Sequence, residues 1–144
     1  MKPVRVTQAH LARIAELEAL CFHAPWSARS LELLCGDTAF GFAVVLGDEI
    51  VAYGGMLCVL DEGQITNVAT HPAHRRRGYA DAVLRALLEE ARARGLVSVT
   101  LEVRESNAPA LALYRRHGFV QVGRRAHFYK NPAEAALLLQ WTAR

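Results

Sequence analysis

The segment that most constrains this chain runs from Asn67 to Asp81, where a strand gives way to a helix across an arginine-rich loop. Residues 65–70 are typical of a strand, and Pro72 ends it because proline lacks a backbone donor. A helix is predicted to open near Gly78, after Arg75-Arg76-Arg77. Such a loop suits a polyanion, because helix N-termini carry unpaired N–H groups and partial positive charge. The alternative is a solvated arginine run at an ordinary turn.

Composition predicts one globular domain over residues 1–144, since 52% of the residues are hydrophobic and 22% are charged. No apolar run is long enough to span a bilayer, and the N-terminus lacks the apolar stretch of a signal peptide. The three cysteines show no Cys-x-x-Cys spacing, which fits reduced thiols. We therefore expect a cytoplasmic protein with no membrane partner, no disulfide and no metal site.

The net charge of +3 comes almost entirely from arginine, since Lys2 and Lys130 are the two lysines. A basic chain is compatible with nucleic-acid binding. However, no aromatic-rich strand of the RNA-recognition type accompanies the arginines. The densest cluster, Arg75 to Arg77, has a use on a phosphorylated ligand instead. We predict no direct nucleic-acid partner, and a monomer or weak dimer.

Hydrophobic periodicity predicts an α+β fold, a mixed sheet with one strand–helix–strand crossover in its middle. Turn and cap residues place the boundaries. The predicted elements are a strand at 4–6, a helix capped by Thr7 and running to Cys21, a short helix capped by Ser27 and running through Leu34 with Gly36 at its C′ position, strands at 40–46, 50–60 and 64–70 with turns at Gly47-Asp48 and Asp61-Glu62-Gly63, a helix from near Gly78 to about Arg94 with Gly95 at its C′ position, a strand at 98–103, a helix capped by Ser106-Asn107 and ending at Gly118, and strands at 119–122 and 135–141 joined at Asn131-Pro132.

Two motifs carry a resemblance to a known family. Arg75-x-x-Gly78-x-Ala80, after a strand that ends in Val68-Ala69-Thr70, resembles the acetyl-CoA motif of the GNAT N-acetyltransferases. The runs Leu101 to Asn107 and Ala110 to Phe119 resemble the second half of the GNAT core. The resemblance covers residues 4–141 and implies a mostly antiparallel twisted sheet, with a parallel strand pair at the cofactor site and about four flanking helices.

Within that family the chain is most similar to the bacterial ribosomal-protein alanine N-acetyltransferases, the RimI type. The further matches are Pro25-Trp26-Ser27, Leu60-Asp61-Glu62 and Asn67-Val68-Ala69. This resemblance implies acetyl transfer from acetyl-CoA to the N-terminal alanine of a ribosomal protein. Two alternatives stay open: a GNAT enzyme for another amine, such as a lysine side chain or a small metabolite, and a non-catalytic acyl-CoA-binding module.

The resemblance implies a role for each residue of the expected site. Glu102 is the general base, directly or through a water, and Tyr114 is the general acid. Phe22, Trp26 and Tyr129 are candidates for the acceptor groove, although the first two are also suited to the core. The expected cofactor-binding residues, which hold acetyl-CoA by backbone pairing, by cradling its pyrophosphate and along its arm, are Val68, Ala69, Thr70, Arg76, Arg77, Gly78, Tyr79, Ala80, Asp81 and Asn107.

The chemistry of those roles can be stated from pKa values. Only a free amine attacks a thioester, and an α-amino group has a pKa of about 7.7–8.0, against about 10.4 for lysine. A modest base such as Glu102 therefore suffices for an N-terminus. A tyrosine with a pKa of about 10 holds a proton for the leaving thiolate at neutral pH. Without the resemblance, Glu102 reads as an outward strand residue and Tyr114 as a core aromatic.

The last hairpin departs from the subgroup. The RimI type typically carries a Tyr-Tyr pair and a Glu-Asp-Ala segment ending in Met. Here the corresponding residues are Phe128-Tyr129, Glu134-Ala135-Ala136 and Leu139. Because this hairpin helps to shape the acceptor site in the family, the departure bears on the identity of the acceptor rather than on the use of acetyl-CoA.

Overall fold

A computed structural model describes residues 2–22, 24–130 and 132–143. Its elements follow the predicted order of strands and helices. They are β1 (Val4–Arg5), α1 (Leu11–Cys21), α2 (Ala28–Leu31), β2 (Ala39–Leu46), β3 (Glu49–Val59), β4 (Glu62–Thr70), α3 (Tyr79–Ala93), β5 (Ser98–Arg104), α4 (Ala108–Arg116), β6 (Val120–Tyr129) and β7 (Glu134–Thr142). Short 3-10 turns at Gln8–His10, Glu32–Cys35 and Pro72–His74 complete the described ranges.

The strands form one mixed sheet in the order β1-β2-β3-β4-β5-β7-β6. β4 and β5 run parallel, and the other neighbouring pairs are antiparallel. Helix α3 connects the parallel pair, since parallel neighbours need a crossover connection. This arrangement confirms the α+β sheet with a parallel pair in its middle.

Two predicted N-caps act as the sequence indicated, whereas Thr7 precedes the 3-10 turn Gln8–His10 and His10 is the N-cap of α1. The Ser27 hydroxyl accepts a hydrogen bond from Ser30 N at the start of α2, and Asn107 Oδ1 accepts from Ala110 N at the start of α4. Gly95 and Gly118 adopt positive φ just after α3 and α4. Gly36 is different: its φ is −93°, because it follows a 3-10 turn rather than an α-helix.

Two predicted boundaries are wrong. The turn after β3 is made by Leu60 and Asp61, with Leu60 at φ 56°, so Glu62 and Gly63 already belong to β4. Strand β6 extends from Val120 to Tyr129 rather than ending at residue 122. Its second half shows no apolar alternation because most of its residues are exposed, and two register shifts interrupt its pairing with β7. The predicted turn residue Asn131 lies outside the described residues.

The core consists of two clusters that share the sheet. The larger packs α3 and α4 against it, with Val83, Leu84 and Leu87 of α3 fully buried. The smaller packs Ile14 and Leu17 of α1 against β2, β3 and β4. Within the described ranges, no helix combines the length and hydropathy needed to cross a bilayer.

Candidate active site

The site opens where the parallel strands separate. β4 and β5 pair only over Glu62–Gln64 and Ser98–Thr100. Beyond that point β4 carries a bulge, because two of its residues, Thr66 and Asn67, stand opposite the single β3 residue Gly55. The facing edges of residues 65–70 and 101–104 are thus left without a strand partner in the described part of the sheet. Their backbone groups are available to a ligand.

A first cavity of about 620 Å³ follows β4 into the arginine loop. It reaches α4 at Pro109 and Leu113, and its volume lies in the range of about 300–1,000 Å³ typical of small-ligand sites. All but one of the predicted cofactor residues line it, namely Val68, Ala69, Thr70, Arg76, Gly78, Tyr79, Ala80, Asp81 and Asn107. We call it the cofactor cavity.

Gly78 is the N-cap of α3 and has φ 83°, a left-handed conformation that favours glycine. A Cβ added there would meet no protein atom within 4 Å. Backbone conformation, rather than lack of space within the protein, therefore requires the glycine. It turns the chain so that the first N–H groups of the 15-residue helix α3 face the cavity's arginine end.

The three arginines of the loop are not equivalent. Arg75 and Arg76 line the cofactor cavity, whereas Arg77 does not and lies with Nη1 3.5 Å from His74 Nδ1. Arg75 Nε donates to Thr70 O at 3.3 Å, which ties the loop to the end of β4. Arg76 has φ 65°, an uncommon conformation for a side chain of its size. Arg75, the first residue of the quoted run, was left out of the predicted binding set.

Asp81 lines the cofactor cavity, and its carboxylate is engaged by residues at the end of α4. Its carboxylate accepts from Arg116 Nη2 at 3.1 Å and lies 2.9 Å from His117 Nε2. Partial burial raises the pKa of this carboxyl, but the hydrogen bonds from His117 and Arg116 outweigh it and hold the pKa below its usual range. A carboxylate repels phosphate, so any contribution of Asp81 to pyrophosphate binding comes from its backbone N–H.

A second cavity, of about 580 Å³, lies along β5. Its walls come from the segment between α1 and α2, the bulge of β4, and the β6–β7 hairpin. The predicted residues Phe22, Trp26, Glu102 and Tyr129 all line it. Phe22 and Trp26 are half-buried and also pack against the smaller core cluster, so core and groove roles coexist. We call it the acceptor cavity.

Tyr114 lies where the two cavities meet, because it lines both of them. It is 7% exposed and packs edge-to-face on Phe119, with ring centroids 5.6 Å apart. Burial, with a smaller effect of Tyr129, raises its pKa above the usual tyrosine value, so the hydroxyl keeps its proton at neutral pH. No described residue forms a hydrogen bond with this hydroxyl. Every fully buried side-chain oxygen among the described residues has a hydrogen-bond partner, so the Tyr114 oxygen is not fully buried and is open to the cavities.

Arg104 holds the hairpin wall of the acceptor cavity. Its guanidinium donates to Lys130 O and Pro132 O at 3.0 Å each and to Glu134 Oε1 at 3.2 Å, and it lies 4.5 Å from the centre of the Tyr129 ring. Glu134 Oε2 also accepts from Ser106 N at 2.6 Å. Hydrogen bonds from Ser106 and Arg104 lower the pKa of Glu134. Sequence reasoning missed this network, because its partners are 26 or more residues apart.

Glu18 is a second residue that sequence reasoning missed. It is fully buried in α1 and accepts hydrogen bonds from Tyr53, Asn67 and the backbone of Trp26. A sequence signal was present, since a carboxyl interrupts the apolar stripe formed by Ile14, Leu17 and Cys21.

Glu49, His71 and His74 place one potential metal-ligand atom each within 4.8 Å of one another. His71 Nδ1 accepts from Ala73 N at 3.0 Å, so Nε2 carries the proton of the neutral ring and lacks a lone pair for a metal. The expectation of no metal therefore stays a prediction that the geometry of His71 supports.

Comparisons with known proteins agree with this geometry. The chain matches the acetyltransferase (GNAT) family over residues 11–119. It is 33% identical over 127 residues to the [ribosomal protein bS18]-alanine N-acetyltransferase of Haemophilus ducreyi, which covers 88% of each chain. It is 34% identical over 105 residues to the enzyme of that name from Escherichia coli, covering 73% of this chain and 71% of the relative.

Solved structures point the same way. The crystal structure of the ribosomal-protein-S18-alanine N-acetyltransferase from Escherichia coli superimposes with a TM-score of 0.89 and 28% identity, over 98% of this chain and 92% of the other. These similarities agree with the separation of β4 from β5 and with the arginine loop before α3. The chain belongs to the GNAT family of acetyltransferases.

Proposed function

We propose that this acetyltransferase moves the acetyl group of acetyl-CoA to the α-amine of a protein N-terminus, with the alanine of a ribosomal protein as its acceptor. The observation that carries the proposal is the junction of two cavities at Tyr114. One cavity offers features for a phosphorylated donor, and the other opens to solvent beside a carboxylate. The bacterial relatives act on a ribosomal protein, which supports this acceptor and a cytoplasmic reaction.

Acetyl-CoA fits the cofactor cavity on three observations. The unpaired edge of residues 65–70 supplies backbone donors and acceptors for an amide-bearing arm. The start of α3, behind Gly78, supplies N–H groups for a pyrophosphate. Arg75 and Arg76 add charge-assisted hydrogen bonds.

The reaction then divides between two side chains. Glu102 takes a proton from the acceptor amine, directly or through a water, because it is the β5 carboxylate that lines the acceptor cavity. The amine nitrogen forms its bond to the thioester carbonyl carbon as the carbon–sulfur bond breaks. Tyr114 donates its proton to the departing thiolate sulfur, since its raised pKa keeps it protonated until that moment.

The proposal is tested with a panel of peptides and acetyl-CoA. A peptide that begins with alanine should be acetylated at its α-amine. The same peptide with a blocked N-terminus and a free lysine should react poorly, because the α-amine has an advantage of roughly 300-fold in free-base fraction at pH 7. Free lysine and polyamines complete the panel. Mass spectrometry that places the acetyl group on lysine, with the α-amine untouched, would contradict the N-terminal assignment.

A further inference from the structure

Glu18 is a buried carboxyl group with no cation among its described hydrogen-bond partners. Its exposure is 0%, although it lies on α1 within a stripe that otherwise buries Leu11, Ile14 and Leu17. Burying a carboxyl is costly unless hydrogen bonds compensate, whereas leucine at this place would bury without that cost. We therefore look for a role of Glu18 that an apolar side chain could not perform.

The two carboxyl oxygens of Glu18 hold different parts of the chain. Oε1 accepts from the backbone N–H of Trp26 at 2.9 Å, in the segment between α1 and α2. Oε2 accepts from Asn67 Nδ2 at 2.8 Å, in the bulge of β4, and from the hydroxyl of Tyr53 on β3. Burial, followed by the adjacent Glu18 carboxylate, raises the pKa of Tyr53, so that hydroxyl remains a donor. One side chain thus fixes a loop relative to the sheet.

Two of the three residues that bond Glu18 line one cavity only. Trp26 and Asn67 line the acceptor cavity, and neither lines the cofactor cavity. They bond different oxygens of the same carboxyl group, so Glu18 links them directly. A change in Glu18 should therefore alter the acceptor cavity and leave the arginine loop and the start of α3 in place.

We propose that Glu18 is a positioning residue for the acceptor: it sets the distance between the Trp26 segment and the Asn67 bulge, and with it the width of the acceptor cavity. This inference rests on the proposed function only for the assignment of the second cavity to the acceptor. Glu18 touches neither reacting group and acts through the two elements it holds.

The test is Glu18→Gln, assayed by steady-state kinetics with the alanine peptide and acetyl-CoA. Glutamine keeps the shape but replaces one acceptor oxygen by an NH₂ group, so at least one of the three donors faces another donor. We expect the KM for the peptide to rise about tenfold, the effect of one unsatisfied buried hydrogen bond. The KM for acetyl-CoA and the affinity for CoA by calorimetry should change by less than about twofold. The matched control is Glu16→Gln, an exposed glutamate on the same helix.

A reciprocal exchange separates positioning from general destabilisation. In the double variant Glu18→Gln/Asn67→Asp, the new amide donates to the new carboxylate and restores the contact between α1 and the bulge. The peptide KM of the double variant should fall back toward that of Asn67→Asp alone, a coupling that a double-mutant cycle measures. If Glu18→Gln does not fold, Tyr53→Phe removes one donor without leaving another unsatisfied and gives a smaller shift in the same direction.

The outcomes distinguish the two proposals. An unchanged peptide KM in a folded Glu18→Gln variant, or equal increases in both KM values, would overturn the role of Glu18. A wild-type enzyme that acetylates only lysine or polyamines would overturn the N-terminal acceptor. The Glu18 variants would then be assayed with that amine, and the same selective rise in its KM would still support the positioning role.

Discussion

The two cavities that meet at Tyr114 are built in different ways. The cofactor cavity takes most of its lining from one continuous stretch, Val68 to Asp81, and its key features are backbone conformation and a helix terminus. The acceptor cavity takes its walls from five separate parts of the chain: the segment between α1 and α2, the bulge of β4, β5, α4 and the β6–β7 hairpin. Side chains hold those walls across gaps of 49 residues at Glu18–Asn67 and 26 residues at Arg104–Lys130. On the proposed assignment of the cavities, donor binding is thus a local property of the chain, and acceptor binding is a property of its packing.

The largest effect is expected at the junction. Tyr114→Phe keeps the ring packed on Phe119 but removes the proton donor, so kcat should fall by about 10²–10⁴-fold. Neither KM should rise comparably, because the proposed role of the hydroxyl is on the transition state. Pre-steady-state kinetics would test whether chemistry limits the rate, and thermal unfolding would test whether the core is intact. A variant with near wild-type kcat would show that Tyr114 is only a core aromatic and that the cavities meet without a shared catalyst.

A substitution at Gly78 is expected to weaken donor binding about tenfold. Gly78→Val forces a β-branched residue into φ 83°, which costs about 1–2 kcal/mol in strain or moves the loop. The dissociation constant of CoA should rise about tenfold by calorimetry, the factor that 1.4 kcal/mol gives. Gly95→Val is the matched control, since Gly95 has φ 77° at the other end of α3 and equally open space. It should lose stability and keep its CoA affinity; equal losses of affinity would remove the distinction between the two positions.

A smaller effect confined to the acceptor is expected at Arg104. Arg104→Lys cannot reproduce a guanidinium that bonds two carbonyls and a carboxylate while stacking on Tyr129. The peptide KM should rise by about threefold to tenfold, in line with one or two lost charge-assisted hydrogen bonds. Arg124 lies on the same hairpin and forms an exposed ion pair with Glu105, so Arg124→Lys should leave the peptide KM unchanged. A rise in the KM for acetyl-CoA of the same size would break the division between the cavities.

The smallest effect concerns stability at the rim of the cofactor cavity. The pKa of Asp81 is lowered in the folded state, so its contribution is fully present above the unfolded value of about 3.9 and is lost as pH falls through the folded value. Asp81→Asn should cost no more than about 1 kcal/mol at pH 7, since the pair with Arg116 is partly solvated. Urea unfolding at pH 7, 4 and 3 should show this difference shrinking toward the acid side. A difference in unfolding free energy that is constant with pH would assign the effect to packing. Asp37→Asn, at an exposed position, is the control.

The same division explains what the sequence could predict. Cap and turn residues interact with their own neighbours in the chain, so they could be predicted without a structure. This holds for Ser27, Asn107, Gly78 and Gly95. The resemblance of the two motifs to the GNAT family then supplied the proposed catalytic pair, Glu102 and Tyr114.

The remaining features depend on distant partners. Glu18 reads as one polar residue in an amphipathic helix until Tyr53 and Asn67 are brought beside it. Arg104 lies in a strand motif whose sequence carries no sign of the carbonyls at Lys130 and Pro132. The second half of β6 lacks apolar periodicity because it is exposed, so its pairing with β7 could not be inferred from hydrophobicity.

The separation of β4 from β5 has a consequence for the free energy of unfolding of the protein. In the described ranges three residue pairs join the two halves of the sheet, and no strand lies between the edges of β4 and β5 beyond them. A ligand arm lying there completes the sheet as an additional strand would. Anything that binds only the folded chain raises its unfolding free energy by mass action, by about 2.7 kcal/mol at a ligand concentration 100 times Kd. The proposed use of acetyl-CoA therefore couples the stability of the enzyme to the supply of its donor, because the chain without donor has the smaller free energy of unfolding.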